Sequence, residues 1–510
     1  MELRHLLAIA AFILITGSIA AQNNSRPVPR FVPRYQFNRY DTVYHGYYLT
    51  AAFKLGPTIP PNAPKHAMIL DPNGYLLWYM PEKAQILLDF KYHPENEVFS
   101  FINNQSPQDI RFTLLNAALE RIDSFTTTNG VSPDLHEFQI SRDQTYLLSG
   151  IRDSVMDLSN YLFNGVPGST QTNVIGFVVQ EFDAAHQLLF QWNSNDHVHP
   201  SQAYDQYGYL PTDFDYSHGN AIEEDVDGGL LLSFRNTNAV YKINRQTGQV
   251  EWILGGKSSS FTFSNDPGFS AQHDIRRLPN GNISLFDNAN MAQPFKISRA
   301  VEYQLDTVNW IATRVWEYRY QPFYFNLAMG GHQTTADRLH LVNFGIGYRP
   351  QPSFVLVDDN KQILAEMLLQ DSFMTYRSFV FDLPFDPASR PVISCMQDGS
   401  QVILTAPPGF EQYEWSTGIG GHEITVQEAG TYQVWVNHGA GMLGSQPIVI
   451  TDVANGCPVV SGASTPDLLG DSAIRAIYDL LGRRVSNPVA GCLYVVQYKN
   501  GLVKRMFWPN

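Results

Sequence analysis

The chain is poor in charge. Only 16% of its 510 residues are Asp, Glu, Lys or Arg, which excludes a disordered polymer or a charged coiled coil, since both need dense charge in place of a core. Cysteine is scarce as well. Cys395, Cys457 and Cys492 all lie late in the chain, too few for a disulfide scaffold and without zinc-ligand spacing. Cys395 and Cys457 either staple the segment they bracket, in an oxidising compartment, or stay as two thiols. Positive charge is in deficit: the formal net charge is -14, which excludes nucleic acid as an expected partner but not a small anion in a locally positive pocket. Beyond the first segment no run is long and apolar enough to span a bilayer, so no transmembrane segment is expected.

What is present is a large apolar complement, 44% hydrophobic and 13% aromatic, enough for several buried layers. Glu2 and Arg4 precede the apolar run Leu6 to Ile15, and Ser18, Ala20 and Ala21 follow. A short apolar run with a small-residue exit reads as a signal peptide over 1–21, cut near Ala21–Gln22. Export to the cell exterior or surface is expected.

From Tyr47 to Leu383 one theme recurs: an alternating apolar strand, a turn at Asp, Asn or Gly, and a second strand. Val240 to Leu254 and Val178 to Trp192 are examples, with Ala300 to Asp306 and Phe354 to Leu364. A second hairpin type turns at Asp227-Gly228-Gly229 and at Asn280-Gly281. Four-strand units repeating at tens of residues, with almost no helical period, predict an all-β chain and a β-propeller over 22–385, with an irregular pair of sandwiches as the alternative that so many similar hairpins disfavour. After Pro384 the strands shorten. Gln401 to Gly409, Tyr413 to Gly418 and Ile424 to Val436 predict a small β-sandwich over 392–455, similar to immunoglobulin-like modules. Small residues mark a linker over 456–470. The tail over 471–510, with Ala476 to Val485, Gly491 to Val496 and Asn500-Gly501, resembles a type IX secretion sorting domain. That resemblance implies a small β domain, the type IX machinery as partner, and passage through an outer membrane.

Four histidines stand at comparable places in successive repeats: His136, His218, His273 and His332, each opening an alternating strand. Equivalent strands of a propeller converge on one channel, so residues distant in sequence can share a site there. One such histidine alone is an ordinary hydrogen-bonded residue; four in phase point to shared chemistry. Metal ligation ranks lower, because no carboxylate or thiolate spacing accompanies them.

Asp215 to Ile222, Asp227 to Asn236 and Trp252 to Gly256 resemble the central motif of the arylsulfotransferase family. Phe269 to Asp274, Asn280 to Asn288 and Ser298 to Tyr303 continue the likeness, and so do Leu135 to Phe138, Gln180 to Asp183 and Trp192 to Val198. The resemblance implies a six-bladed propeller that moves a sulfuryl group from an aryl sulfate to a phenolic acceptor, with no adenylated donor and no cofactor. It implies His332 as the nucleophile, forming a sulfohistidine, with His218 and His273 in support. Protonated imidazoles, His136 among the candidates, would donate to sulfuryl or leaving-group oxygens. Asn220 shares strand parity with His218 and is either a channel residue or a strand-end hydrogen bonder. The arginine that better-known members carry after Phe-Asp-Asn is missing from Asp287 to Ala292. Arg235 and Arg276 are the candidate replacements, or else ordinary paired arginines. Two other readings stay open: a non-catalytic surface propeller binding glycans or protein partners, and the same histidines acting on another ester such as a phosphate.

Overall fold

The computed structural model describes residues 25–457, apart from 44, 56–64, 83–85, 105, 107–108, 293, 348–349, 385–388 and 455, together with the strands Ile474–Tyr478, Leu493–Tyr498 and Val503–Phe507. The expected signal peptide over 1–21 lies outside the described residues, as does nearly all of the 456–470 linker. Of the 471–510 tail, only the backbone of its three antiparallel strands is described.

The described chain is all-β, with short 3-10 turns such as Ser194–Asp196, Pro200–Gln202 and Asp205–Tyr207. Among the described residues no helix is long and apolar enough to cross a membrane. Alternation and turn chemistry account for the strands. Leu230–Phe234 is wholly buried and pairs in register with Ala239–Ile243. The hairpin before it turns at Gly228, whose φ of +82° suits a residue without Cβ.

Six sheets each contain a four-strand antiparallel meander. Four are sequential in the chain: 86–125, 132–193, 219–255 and 273–318. In the fifth, 331–369, the early strand Tyr35–Arg39 adds at the outer edge. In the sixth, the late strand Met374–Phe381 pairs with Tyr47–Phe53, so both ends of this region meet in one sheet. The first strands touch in the order Ile86–His93, Ser132–Ile140, Gly219–Glu224, His273–Arg277, Gly331–Thr334, Met374–Phe381 and back to Ile86–His93. Apolar side chains fill the space between neighbouring sheets. Phe177, Val179 and Trp192 meet Ile222, Leu232 and Tyr241, and Leu231 and Val240 meet Ile275 and Leu285. Burial on both faces is why these strands read as nearly continuous apolar runs.

Five of the six first strands break register where they face the centre: at 89–90, 134–137, 220, 274–275 and 376–377. A bulge frees backbone groups and re-aims side chains. Here it turns Asp89, Glu137, Asp274 and Arg377 into one buried ionic layer. The Arg377 Nη1 stands 3.1 Å from Asp89 and 3.0 Å from Glu137, and its Nε 3.2 Å from Asp274. Lys91 joins Asp89 at 2.7 Å and Glu137 at 2.6 Å.

Past Pro384, Ser394–Asp398, Gln401–Thr405 and Glu423–Val426 form a three-stranded sheet. Val402, Leu404, Trp415 and Val434 share one apolar cluster, and a disulfide joins Cys395 to Cys457. The strand Gly441–Gly444 pairs with Leu76–Glu82, so the sixth sheet runs on into this region without interruption. Arg390 reinforces the join, bonding Asp71 at 2.9 Å and the Gly444 carbonyl.

Candidate active site

Three of the four phased histidines gather at the starts of the first strands. His136 and His218 lie ring to ring at 5.1 Å, edge on, and the Tyr376 ring lies 5.9 Å from His136. Each imidazole is held by an aspartate just before it in sequence. The Asp134 carboxylate meets His136 Nδ1 at 2.7 Å and also accepts its backbone N–H. Asp215 meets His218 Nδ1 at 2.5 Å and accepts the His218 N–H at 2.8 Å. That double hold keeps His218 at a φ of 45°, a left-handed conformation rare for such a residue. In both pairs Nδ1 is committed to the carboxylate, so Nε2 is the free edge.

His273 differs in kind. Its Nδ1 faces the Asn288 Oδ1 at 2.7 Å and the Ala271 carbonyl at 3.0 Å, so Nδ1 carries the proton. Asn288 cannot turn over, because its amide nitrogen donates to the Asn326 and Met329 carbonyls. The lone pair of His273 Nε2 accepts the Met329 N–H at 3.2 Å. Burial, then the nearby Arg235 charge, hold this imidazole well below the usual histidine range, and His136 and His218 add to the effect. His273 is therefore neutral at neutral pH. His136 goes the other way: burial alone would lower it, but the Asp134 carboxylate more than offsets that and raises it. One neutral imidazole thus stands beside another that holds its proton more firmly.

Arg235 completes the group. Its guanidinium lies over the Tyr207 ring at 4.9 Å, and donates to Asn236 at 3.0 Å and the Leu327 carbonyl at 3.3 Å. Its buried Nε has no hydrogen-bond partner. Among the described residues no carboxylate lies within ion-pair distance of it. A half-buried guanidinium with no carboxylate in ion-pair distance, beside the His273 imidazole, is a site short of an anion.

Residues 102–346 match the arylsulfotransferase (ASST) family model. The arylsulfotransferase match contains all four histidines and Arg235. No curated protein matches the chain. Among solved structures, a Bacteroides caccae protein of unknown function is 12% identical, covering 65% of this chain and 97% of its own, with a TM-score of 0.40. Virginiamycin B lyase from Staphylococcus aureus is 10% identical over 73% of this chain and 96% of its own, TM-score 0.33. The periplasmic gluconolactonase of Pseudomonas aeruginosa is 14% identical over 79% and 99%, TM-score 0.35.

His332 and Arg276 are not brought to this group. His332 is fully buried between sheets, stacked at 5.2 Å on Trp316, with its Nε2 3.0 Å from His340 Nδ1. Burial holds it well below the usual range, and His340 adds to this. The strand Gly331–Thr334 is the one first strand without a bulge, so regular alternation sends His332 into the sheet interface. Its backbone N–H reaches the centre instead, donating to Asp274 at 2.9 Å. Arg276 belongs to the ionic layer, 2.8 Å from Glu137 and 2.6 Å from Asp274. Asn220 is buried and donates to the Gln272 carbonyl at 2.8 Å, tying adjacent first strands together. Asp134, Asp215, Asn288 and Tyr207 carry no role in the sequence reading. The Asp134-Leu-His136 and Asp215-Tyr-Ser-His218 spacings were the available signal for two of them.

Proposed function

We propose that this chain is an exported aryl-sulfate sulfotransferase in which His273, rather than His332, takes the sulfuryl group. The unpaired Arg235 beside a neutral, oriented His273 is the observation that carries the reading, and the arylsulfotransferase match supports it. Arg235 binds the sulfate oxygens of the donor. His273 Nε2, leaving the Met329 N–H, attacks sulfur. The S–O(aryl) bond breaks, the phenolate departs with its electron pair, and the S–N bond leaves an N-sulfohistidine. His136 and His218, oriented by their aspartates, supply a proton to the departing oxygen. In the second half one of them, now neutral, takes the proton of the acceptor phenol, whose oxygen attacks sulfur and breaks the S–N bond. No adenylated donor enters either half.

The same reading makes the six sheets the blades of a propeller, supported by the cyclic contacts of their first strands and the apolar clusters between them. It makes 392–455 an immunoglobulin-like sandwich, 1–21 a signal peptide and 471–510 a type IX sorting domain, which together imply a secreted or surface-held enzyme.

The test is acceptor-dependent turnover of 4-nitrophenyl sulfate by the purified chain, with mass spectrometry of quenched enzyme. A sulfuryl adduct on the peptide bearing His273 supports the reading. An adduct on the His332 peptide reverses the assignment, and absence of turnover across a broad phenol panel, with glycan binding, favours the non-catalytic alternative.

A further inference from the structure

The first strands end, opposite the histidines, in a cavity of about 490 Å³. Lys91, Glu223, Asp274 and Arg276 line its floor, and Tyr92, Phe379 and Phe381 line it as well. The Arg377–Glu137 pair, 3.0 Å apart and wholly buried, belongs to the ionic layer at its base.

The charges of this floor do not balance. Three cations, Lys91, Arg276 and Arg377, are interlinked with four carboxylates, Asp89, Glu137, Asp274 and Glu223. Glu223 is the one left over. Its Oε1 accepts the Arg277 N–H at 3.3 Å, while Oε2 stands 3.7 Å from Arg276, beyond a hydrogen bond. Burial pushes its carboxyl up to about 7, with Arg276 opposing and Glu137 and Asp274 adding to the rise. His93, also lining the cavity, is lowered to about 3 by burial and adds no charge. At the rim, Arg277 is taken by Asp225 at 2.6 Å, and Arg142 stands 3.5 Å from Glu224.

We infer that this cavity binds a small organic cation, its ammonium on Glu223 and its body against Tyr92, Phe379 and Phe381. An ammonium supplies the missing charge, and aromatic faces favour a desolvated cation. A metal ion does not suit the place: among the described residues no three His, Cys, Asp or Glu side chains converge to hold one. The site is independent of the sulfuryl-transfer reading, since it uses none of its residues.

Titration calorimetry on the full chain tests it, with phenethylammonium as probe and the neutral 2-phenylethanol as its match. The ammonium binds one to one and the alcohol at least about ten-fold more weakly. Near pH 6, where Glu223 is protonated, binding releases about one proton to the buffer; near pH 8.5 it releases none. Glu223→Gln weakens the ammonium about ten-fold or more, and His273→Ala leaves its affinity unchanged. Equal binding of the two probes, no binding of either, or no proton release near pH 6 overturns the inference, and the last two are readable even should Glu223→Gln fail to fold. Loss of ammonium binding in His273→Ala overturns it as well, because the probe then sits at the histidines.

Discussion

His136 and His218 face each other at 5.1 Å, each with its Nδ1 fixed by an aspartate from its own strand entry. Two acid–base groups so placed can serve a leaving oxygen and an entering one on a single sulfur.

Removing either orienting carboxylate should slow transfer without emptying the site. Asp134→Asn and Asp215→Asn are each expected to lower kcat about 10- to 100-fold, with KM for the donor within a few-fold. Steady-state kinetics at saturating phenol measure this. An unchanged kcat in both variants removes the proton-transfer role.

Arg235 should act on the sulfate group itself. Arg235→Lys keeps a charge but loses the planar fork, and a loss of about 10²-fold or more in kcat/KM is expected. Arg276→Lys, by contrast, alters an ion-pair layer already filled by Glu137 and Asp274 and should reduce folding stability before it touches donor affinity. Equal kinetic losses in the two variants would contradict this division.

Activity should depend on pH through His136 rather than through His273. His273 is lowered well below the ordinary range, so the nucleophile stays neutral at neutral and alkaline pH. His136 is raised by the Asp134 carboxylate, so the proton donor is lost at a higher pH than an ordinary imidazole would lose it. An alkaline decline is therefore expected, steeper with phenyl sulfate than with 4-nitrophenyl sulfate, whose better leaving group needs less help. Two superimposable profiles would exclude His136 as donor.

Stability should fall on acidification before most carboxylates titrate. Burial lowers His66 to about 4 and His93 to about 3, while the unfolded chain takes up protons near 6.5. The unfolded state binds more protons between those values, so stability rises with pH across about 4 to 6.5, by about 1.4 kcal/mol per unit for each such histidine. Urea midpoints across that range read it directly, and His66→Phe should flatten the slope. A midpoint that rises on acidification would show the sign is wrong.

The Cys395–Cys457 bridge closes a loop with a separation of 62 residues. Chain entropy puts the stabilisation from such a loop at about 4 kcal/mol. Adding reductant should lower the unfolding transition read by calorimetry, and identical thermograms would dismiss the contribution.

The strands themselves were readable in the chain. Period-two alternation around Val240, Val178 and Phe354 and the glycine turns at Gly228 and Gly281 correspond to hairpins in the structure. The phase of the histidines was readable too, because each lies in or directly before a first strand. What could not be read was side-chain direction at those openings. His218 and Asp274 adopt positive φ, and register slips at 134–137, 220 and 274–275. One extra residue in a strand reverses which face every later side chain takes.

The sequence by itself therefore determined an all-β chain, the positions of its hairpins, and a set of histidines repeated in step, since all three depend on local backbone preference and apolar period. Only the tertiary structure decided that His136, His218 and His273 meet beside an unpaired Arg235 while His332 turns into the Trp316 interface. Whether a strand entry is bulged or regular depends on what its neighbours across the centre demand of it. That demand is made by residues far away in the chain.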